Sequence, residues 1–138
     1  MTTPTLPAPA PVVNPETKPF WDATAEGRLL LPHCRACDTY IWYPRLFCPA
    51  CSSFDVEWVE AAGRGTVFTF AVVRRSQGPY AKATPYILAY VELAEGPRMM
   101  TNVVDCDVES VRVGDPVEVV FHDTGEGTAL PRFRPVKE

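Results

Sequence analysis

The 138-residue sequence predicts a mainly β chain: one N-terminal helix, a metal-stapled ribbon, then a five-stranded barrel. Three observations lead there. Four of the five cysteines stand as two C-x-x-C pairs, Cys34/Cys37 and Cys48/Cys51, ten residues apart. After Gly63 the chain becomes a series of short β-branched and aromatic runs divided by turn residues. Only the stretch from Asn14 to Leu31 carries the start and stop signals of a helix.

Composition bounds the class. Apolar residues at 46% suffice for a core, and charged residues at 22% for an ordinary soluble surface. A net charge of −4 gives no general pull toward polyanions. No run approaches the ~18 apolar residues of a membrane span. The start lacks the basic region and apolar block of a secretory signal. The expected location is therefore the cytoplasm, where disulfides are disfavoured and paired cysteines point to metal.

Residues 1–15, with five of the fifteen prolines, read as an extended arm without a core of its own. Such an arm is either a disordered tail or a strap across a partner subunit. Residues 16–62 hold the helix and the ribbon. Asn14 or Thr17 can cap the helix start, and Gly27 sits where its C-terminal cap belongs. Phe20 and Trp21 are too large for so short a helix to bury alone, so they face either a shared core or a partner groove. Leu29–Leu31, "YIWYP" and Val56–Ala61 read as short strands.

Residues 63–138 contain five β signals: "TVFTFAVVRR", "PYILAYVELA", "RMMTNVV", "VEVVFH" and "PRFRP". The segment "DCDVESVRVGDP" offers one helical turn between the third and fourth. Five strands with that insertion match a small Greek-key barrel of the OB type. Gly63 and Gly65 suit a strand that bends sharply as the barrel closes. This half carries nine basic and ten acidic residues, so its arginines act locally.

The cysteines invite three readings: metal, disulfide and redox catalysis. Two C-x-x-C turns on facing hairpins aim four thiolates at one tetrahedral ion. The ribbon holds too few apolar groups to fold unaided, and a structural zinc contributes about 10–16 kcal/mol in comparable peptides. A redox C-x-x-C belongs at a helix start in a βαβ setting, which this sequence lacks. Iron also suits four thiolates. With every position filled by sulfur, none remains open for water, so the ion is structural. Asp38 and Ser52 stand where many knuckles place glycine, and both tolerate turn conformations.

No complete catalytic set is visible. Cys106 lies between Asp105 and Asp107, which raise a thiol's pKa, and only His33 and His122 could serve as bases. No phosphate loop or dinucleotide fingerprint occurs. The stretch Val72–Tyr86 sets Arg74, Arg75 and Lys82 beside Tyr80 and Tyr86. That mixture suits a phosphorylated, ring-bearing ligand such as coenzyme A or a nucleic acid, or else a solvated hairpin. Arg132 and Arg134 flank Phe133 near the carboxyl end.

These residues are familiar together. "EGRLLLPHC" after the "FW" helix, the paired C-x-x-C, "GRGTVFTFAVV", "PYILAYVELAEGPRMMTNVV", "VGDPVEVVF" and "LPRFRP" resemble the domain of unknown function 35 family, from Pro19 onward. The resemblance implies a rubredoxin-like zinc ribbon before an OB-fold domain. It also implies a scaffold subunit docked on a thiolase-like enzyme of acyl-CoA metabolism, a thiolase, a synthase or a steroid side-chain aldolase. There the subunit helps shape the route of the CoA thioester and makes no bonds itself. The expected assembly is a thiolase-like homodimer with one copy of this chain on each subunit. Phe20, Trp21 and Phe133 are the expected interface anchors, and Arg74, Arg75, Tyr80 and Lys82 the expected CoA contacts. The competing reading is a stand-alone OB module for single-stranded nucleic acid. A nearly neutral barrel speaks against it, because backbone contacts need a positive groove.

Overall fold

The computed structural model describes residues 6–136. Helix α1 spans Lys18–Ala25. Ahead of it, Asn14 and Thr17 bond reciprocally: the Thr17 N–H donates to Asn14 Oδ1 at 3.1 Å, and the Asn14 N–H to Thr17 Oγ1 at 3.2 Å. The helix ends as its glycine predicts. Gly27 takes φ +73°, its N–H donates to Thr24 O, and the Arg28 N–H reaches back to Ala23 O. That pair of bonds satisfies the last carbonyls of the helix.

Strands β1 (Leu30–Cys34) and β2 (Val56–Glu60) form the antiparallel ribbon. Five more strands close a barrel: β3 (Arg64–Val73), β4 (Tyr86–Leu93), β5 (Arg98–Val103), β6 (Pro116–Asp123) and β7 (Ala129–Pro135). They neighbour in the order β3-β4-β5-β7-β6, the last returning to β3. This is the OB-fold barrel that the strand count predicts. Gly65 marks the closure, pairing with Leu93 of β4 on one side and Val117 of β6 on the other. A Cβ there would meet Glu92 O at 2.4 Å, and one on Gly63 would meet Val119 Cγ1 at 2.6 Å. Only glycine lets the strands approach so closely.

Two expected elements are absent from the described residues. "YIWYP" makes a single bridge, His33 to Tyr40, because it crosses between two cysteine knuckles. The helical turn after Cys106 is replaced by separate turns. There Asp107 Oδ1 accepts from the Glu109 N–H at 2.9 Å, a side-chain bond that competes with helix formation.

One hydrophobic core runs from the helix and ribbon into the barrel, including Phe20, Leu29, Leu31, Val67, Ile87 and Phe133. Thr24 ties the layers, donating to Trp21 O at 2.6 Å and accepting from the Ala129 N–H at 3.0 Å. The described part of the arm lies back on this chain's own barrel. Leu6 is buried with Ala83 and Val104, against Tyr80 and Tyr86.

Candidate functional site

The two cysteine knuckles have matching backbones. The Asp38 N–H donates to Cys34 O and the Ser52 N–H to Cys48 O, each at 2.8 Å. The Cys34 N–H donates to Thr39 O and the Cys48 N–H to Ser53 O, again at 2.8 Å. Asp38 and Ser52 both sit at φ 66°, the left-handed conformation that glycine would otherwise supply. The four Sγ atoms lie within 4.8 Å of one another, with Cys34–Cys51 and Cys37–Cys48 at 3.6 Å. A tetrahedron of sulfurs about 2.3 Å from zinc has an edge of about 3.8 Å, so the donor set fits the ion.

The ion would also settle the charge of the cluster. Thr39 Oγ1, 3.1 Å from Cys37 Sγ, and the Thr39 backbone favour the Cys37 thiolate, whose pKa falls to about 6. Cys51 moves oppositely. The Ser53 backbone favours its thiolate, but Cys37, burial and the remaining sulfurs outweigh that and lift it to about 12. Four thiolates this close need a cation. The chain thus carries the complete ligand set of a structural zinc, with no protein position left for substrate.

Both histidines are committed elsewhere. His33 lies between Glu57 at 2.7 Å and Asp38 at 2.5 Å, and those bonds raise its pKa. His122 accepts from Arg132. Among the described residues, no hydrogen bond joins either ring to Cys106, whose pKa is raised by burial and by Asp105, Asp107 and Asp115.

The ribbon, α1 and barrel also enclose a pocket of about 330 Å³, lined by Trp21, Trp42, Tyr43, Tyr80, Met100 and Arg132, among others. Arg132 is only 2% exposed. Alternation along β7 predicts an outward arginine, but the arm and the Tyr80 turn cover that outer position. The sequence places Arg132 beside Phe133 but assigns it no role. The "RFRP" pattern gave no sign of what would lie over it.

The expected anchors land differently from their assignment. Phe20 and Phe133 are 1% and 0% exposed, so neither ring is free to meet a partner. Trp21 is 8% exposed, and its Nε1–H donates to Tyr43 Oη at 3.3 Å. A shared core takes all three, since the helix packs directly on ribbon and barrel. Exposed apolar groups lie elsewhere, among them Phe68, Leu88, Tyr90 and Met100 on the outer face of β3, β4 and β5, and Leu46, Phe47 and Phe54 in the ribbon. Tyr90 pairs with Met100, and a register shift between Val67 and Thr69 leaves Phe68 outside the ladder under the Arg98 guanidinium, 3.8 Å away.

Arg74 extends from the end of β3 to Glu109 at 2.6 Å, while Arg75 and Lys82 are exposed nearby in sequence. Tyr80 is turned inward, its hydroxyl accepting from Arg132 at 3.1 Å. Six arginines are paired with carboxylates: Arg28, Arg35, Arg64, Arg74, Arg98 and Arg134. Of these, Arg64, Arg74, Arg98 and Arg134 belong to the barrel, so four of its cations are offset by carboxylates.

Comparison with known proteins agrees with this architecture. The domain described as "ChsH2, rubredoxin-like zinc ribbon domain" matches residues 21–57, and "ChsH2, C-terminal OB-fold domain" matches residues 58–122. A "DUF35 domain-containing scaffold protein" of Methanocaldococcus jannaschii is 34% identical, with 75% of this chain covering 79% of that one. The chain belongs to the DUF35 family.

A "Probable enoyl-CoA hydratase alpha subunit" of Thermomonospora curvata is 37% identical over 92% of this DUF35 chain, which spans only 40% of that relative's length. Among solved structures, a chain of the "Ltp2-ChsH2(DUF35) aldolase" superposes with a TM-score of 0.82 at 36% identity, covering 91% of this chain and 98% of that one. No helix of the described residues is long and apolar enough to cross a membrane.

Proposed function

We propose that this DUF35 chain is a non-catalytic subunit that docks on a thiolase-like enzyme, a thiolase or a steroid side-chain retro-aldolase, and supports its handling of a CoA thioester. The likeness over nearly the whole of the DUF35 chain of an aldolase carries this reading. A relative named as a benzoylsuccinyl-CoA thiolase subunit in Geobacter metallireducens, 34% identical over 54% of this chain, points to the same class of partner. The physics agrees: a closed metal knot, two committed histidines, and an exposed apolar barrel face. An apolar patch of that kind marks an interaction surface.

The partner is a thiolase-like dimer carrying one copy of this chain on each subunit. Phe68, Leu88, Tyr90 and Met100 supply the apolar contact. Arg75 and Lys82, with Arg74 once released from Glu109, face the phosphates of bound CoA. Co-expression with candidate thiolases and aldolases, followed by size exclusion with light scattering, tests the assembly. A stable mixed oligomer is the expected result, and failure of every such partner to bind overturns the reading.

A further inference from the structure

Among the described residues, Arg132 is a buried cation without a counter-charge. Its Nη1 donates to His122 Nδ1 at 2.9 Å, and its Nη2 to Pro7 O at 2.7 Å and Tyr80 Oη at 3.1 Å. All three acceptors are neutral. Among the described residues no carboxylate pairs with it, although six other arginines of this chain have found one. These partners satisfy N–H geometry but leave the charge uncompensated. A buried cation in that condition is ordinarily paired or ligand-bound.

The surroundings say what would compensate it. Among the described residues, Arg132 is the sole charged one lining the 330 Å³ pocket, whose other walls include Trp21, Trp42, Tyr43, Tyr80 and Met100. That volume lies within the range of small-molecule sites, which are mostly apolar with a few convergent polar groups. A polyphosphate would need more cations than one. A single guanidinium at the wall of an aromatic chamber matches one carboxylate on an apolar body, held by charge-assisted bonds.

We propose that this pocket binds a monocarboxylate with a ring-bearing or bulky apolar body, its carboxylate on Arg132 and its body against Trp21, Trp42 and Met100. The site is formed by this chain alone, so it stands whether or not a thiolase-like partner does.

The test uses the purified zinc-loaded full chain with 4-phenylbutyrate as probe and 4-phenylbutyramide as its uncharged isostere. Calorimetry should show the carboxylate binding at least tenfold more tightly than the amide. In ¹⁵N spectra the indole signals of Trp21 and Trp42 should shift with the carboxylate. Arg132→Met should erase the preference between the two probes. Because that variant can also loosen the arm, the comparison on the unmutated chain decides by itself. Equal affinity for acid and amide, no binding of either, or shifts that spare both indoles would overturn the assignment.

Discussion

Arg132 Nη1 donates to His122 Nδ1 at 2.9 Å, across the neighbouring strands β7 and β6. The bond assigns the tautomer: Nδ1 accepts, so the neutral ring carries its proton on Nε2. Burial first, and the Arg132 charge second, lower the His122 pKa from its ordinary 6.5, Asp105 opposing weakly. The unfolded chain then binds this proton more readily than the folded one. The stabilisation from His122 is fully present above about pH 6.5 and is lost as pH falls toward the depressed folded value. NMR titration should place His122 below 6.5, and His122→Asn should flatten the loss of melting temperature on acidification. A His122 that titrates at or above 6.5 contradicts the geometry.

Zinc should be needed for folding rather than chemistry. Metal analysis should give about one zinc per chain, as a four-thiolate site requires. Strong chelation, or Cys48→Ser at a buried ligand, should collapse the ribbon and lower the melting temperature. A metal-free preparation that melts unchanged argues against the site.

Core and interface should separate by mutation. Trp21→Ala removes a buried ring and should destabilise the chain by about 3–5 kcal/mol. Tyr90→Glu with Met100→Glu should leave the melting temperature almost unchanged, since both side chains are exposed, and abolish co-assembly with the partner. Co-assembly that survives the double glutamate variant would move the docking face elsewhere.

The two conformational demands should be unequal. Gly65→Val places a side chain on Glu92 O and should cost about 3 kcal/mol. Ser52→Gly, at φ 66°, should be nearly neutral, whereas Ser52→Val should cost about 1–2 kcal/mol in the left-handed region. Urea melts of the three variants give the order.

Phosphate contacts are worth about 1.5–3 kcal/mol each when charge-assisted. Arg75→Ala with Lys82→Ala should therefore weaken CoA binding to the assembled complex at least tenfold. Arg74→Ala should do less, because Glu109 already holds that guanidinium. Calorimetry with CoA on the complex would show unchanged affinity if the loop is only a solvated hairpin.

Local chemistry made much of this protein legible beforehand. Cysteine spacing specifies four donors because a C-x-x-C turn aims two sulfurs at one ion wherever it occurs. Gly27 ends the helix because glycine takes its φ of +73° most readily, Gly65 closes the barrel because a Cβ there would strike Glu92 O, and alternating β runs name their own strands. The sequence by itself therefore determined the helix, the seven strands, their order and the metal centre, although "YIWYP" and the segment after Cys106 do not form the strand and helical turn it suggests. What it left open were questions of which surface covers which. Phe20 and Trp21 read as core or anchor and Phe133 as an anchor, and only the packing of α1, ribbon and barrel made all three core. Arg132 reads as an outward strand residue, and only the return of the arm, with Pro7 over β7, buried it. The same folding left Tyr90 and Met100 bare. Burial depends on segments far apart in the chain, Pro7 and Arg132 being 125 residues distant, and no local pattern encodes a contact of that range.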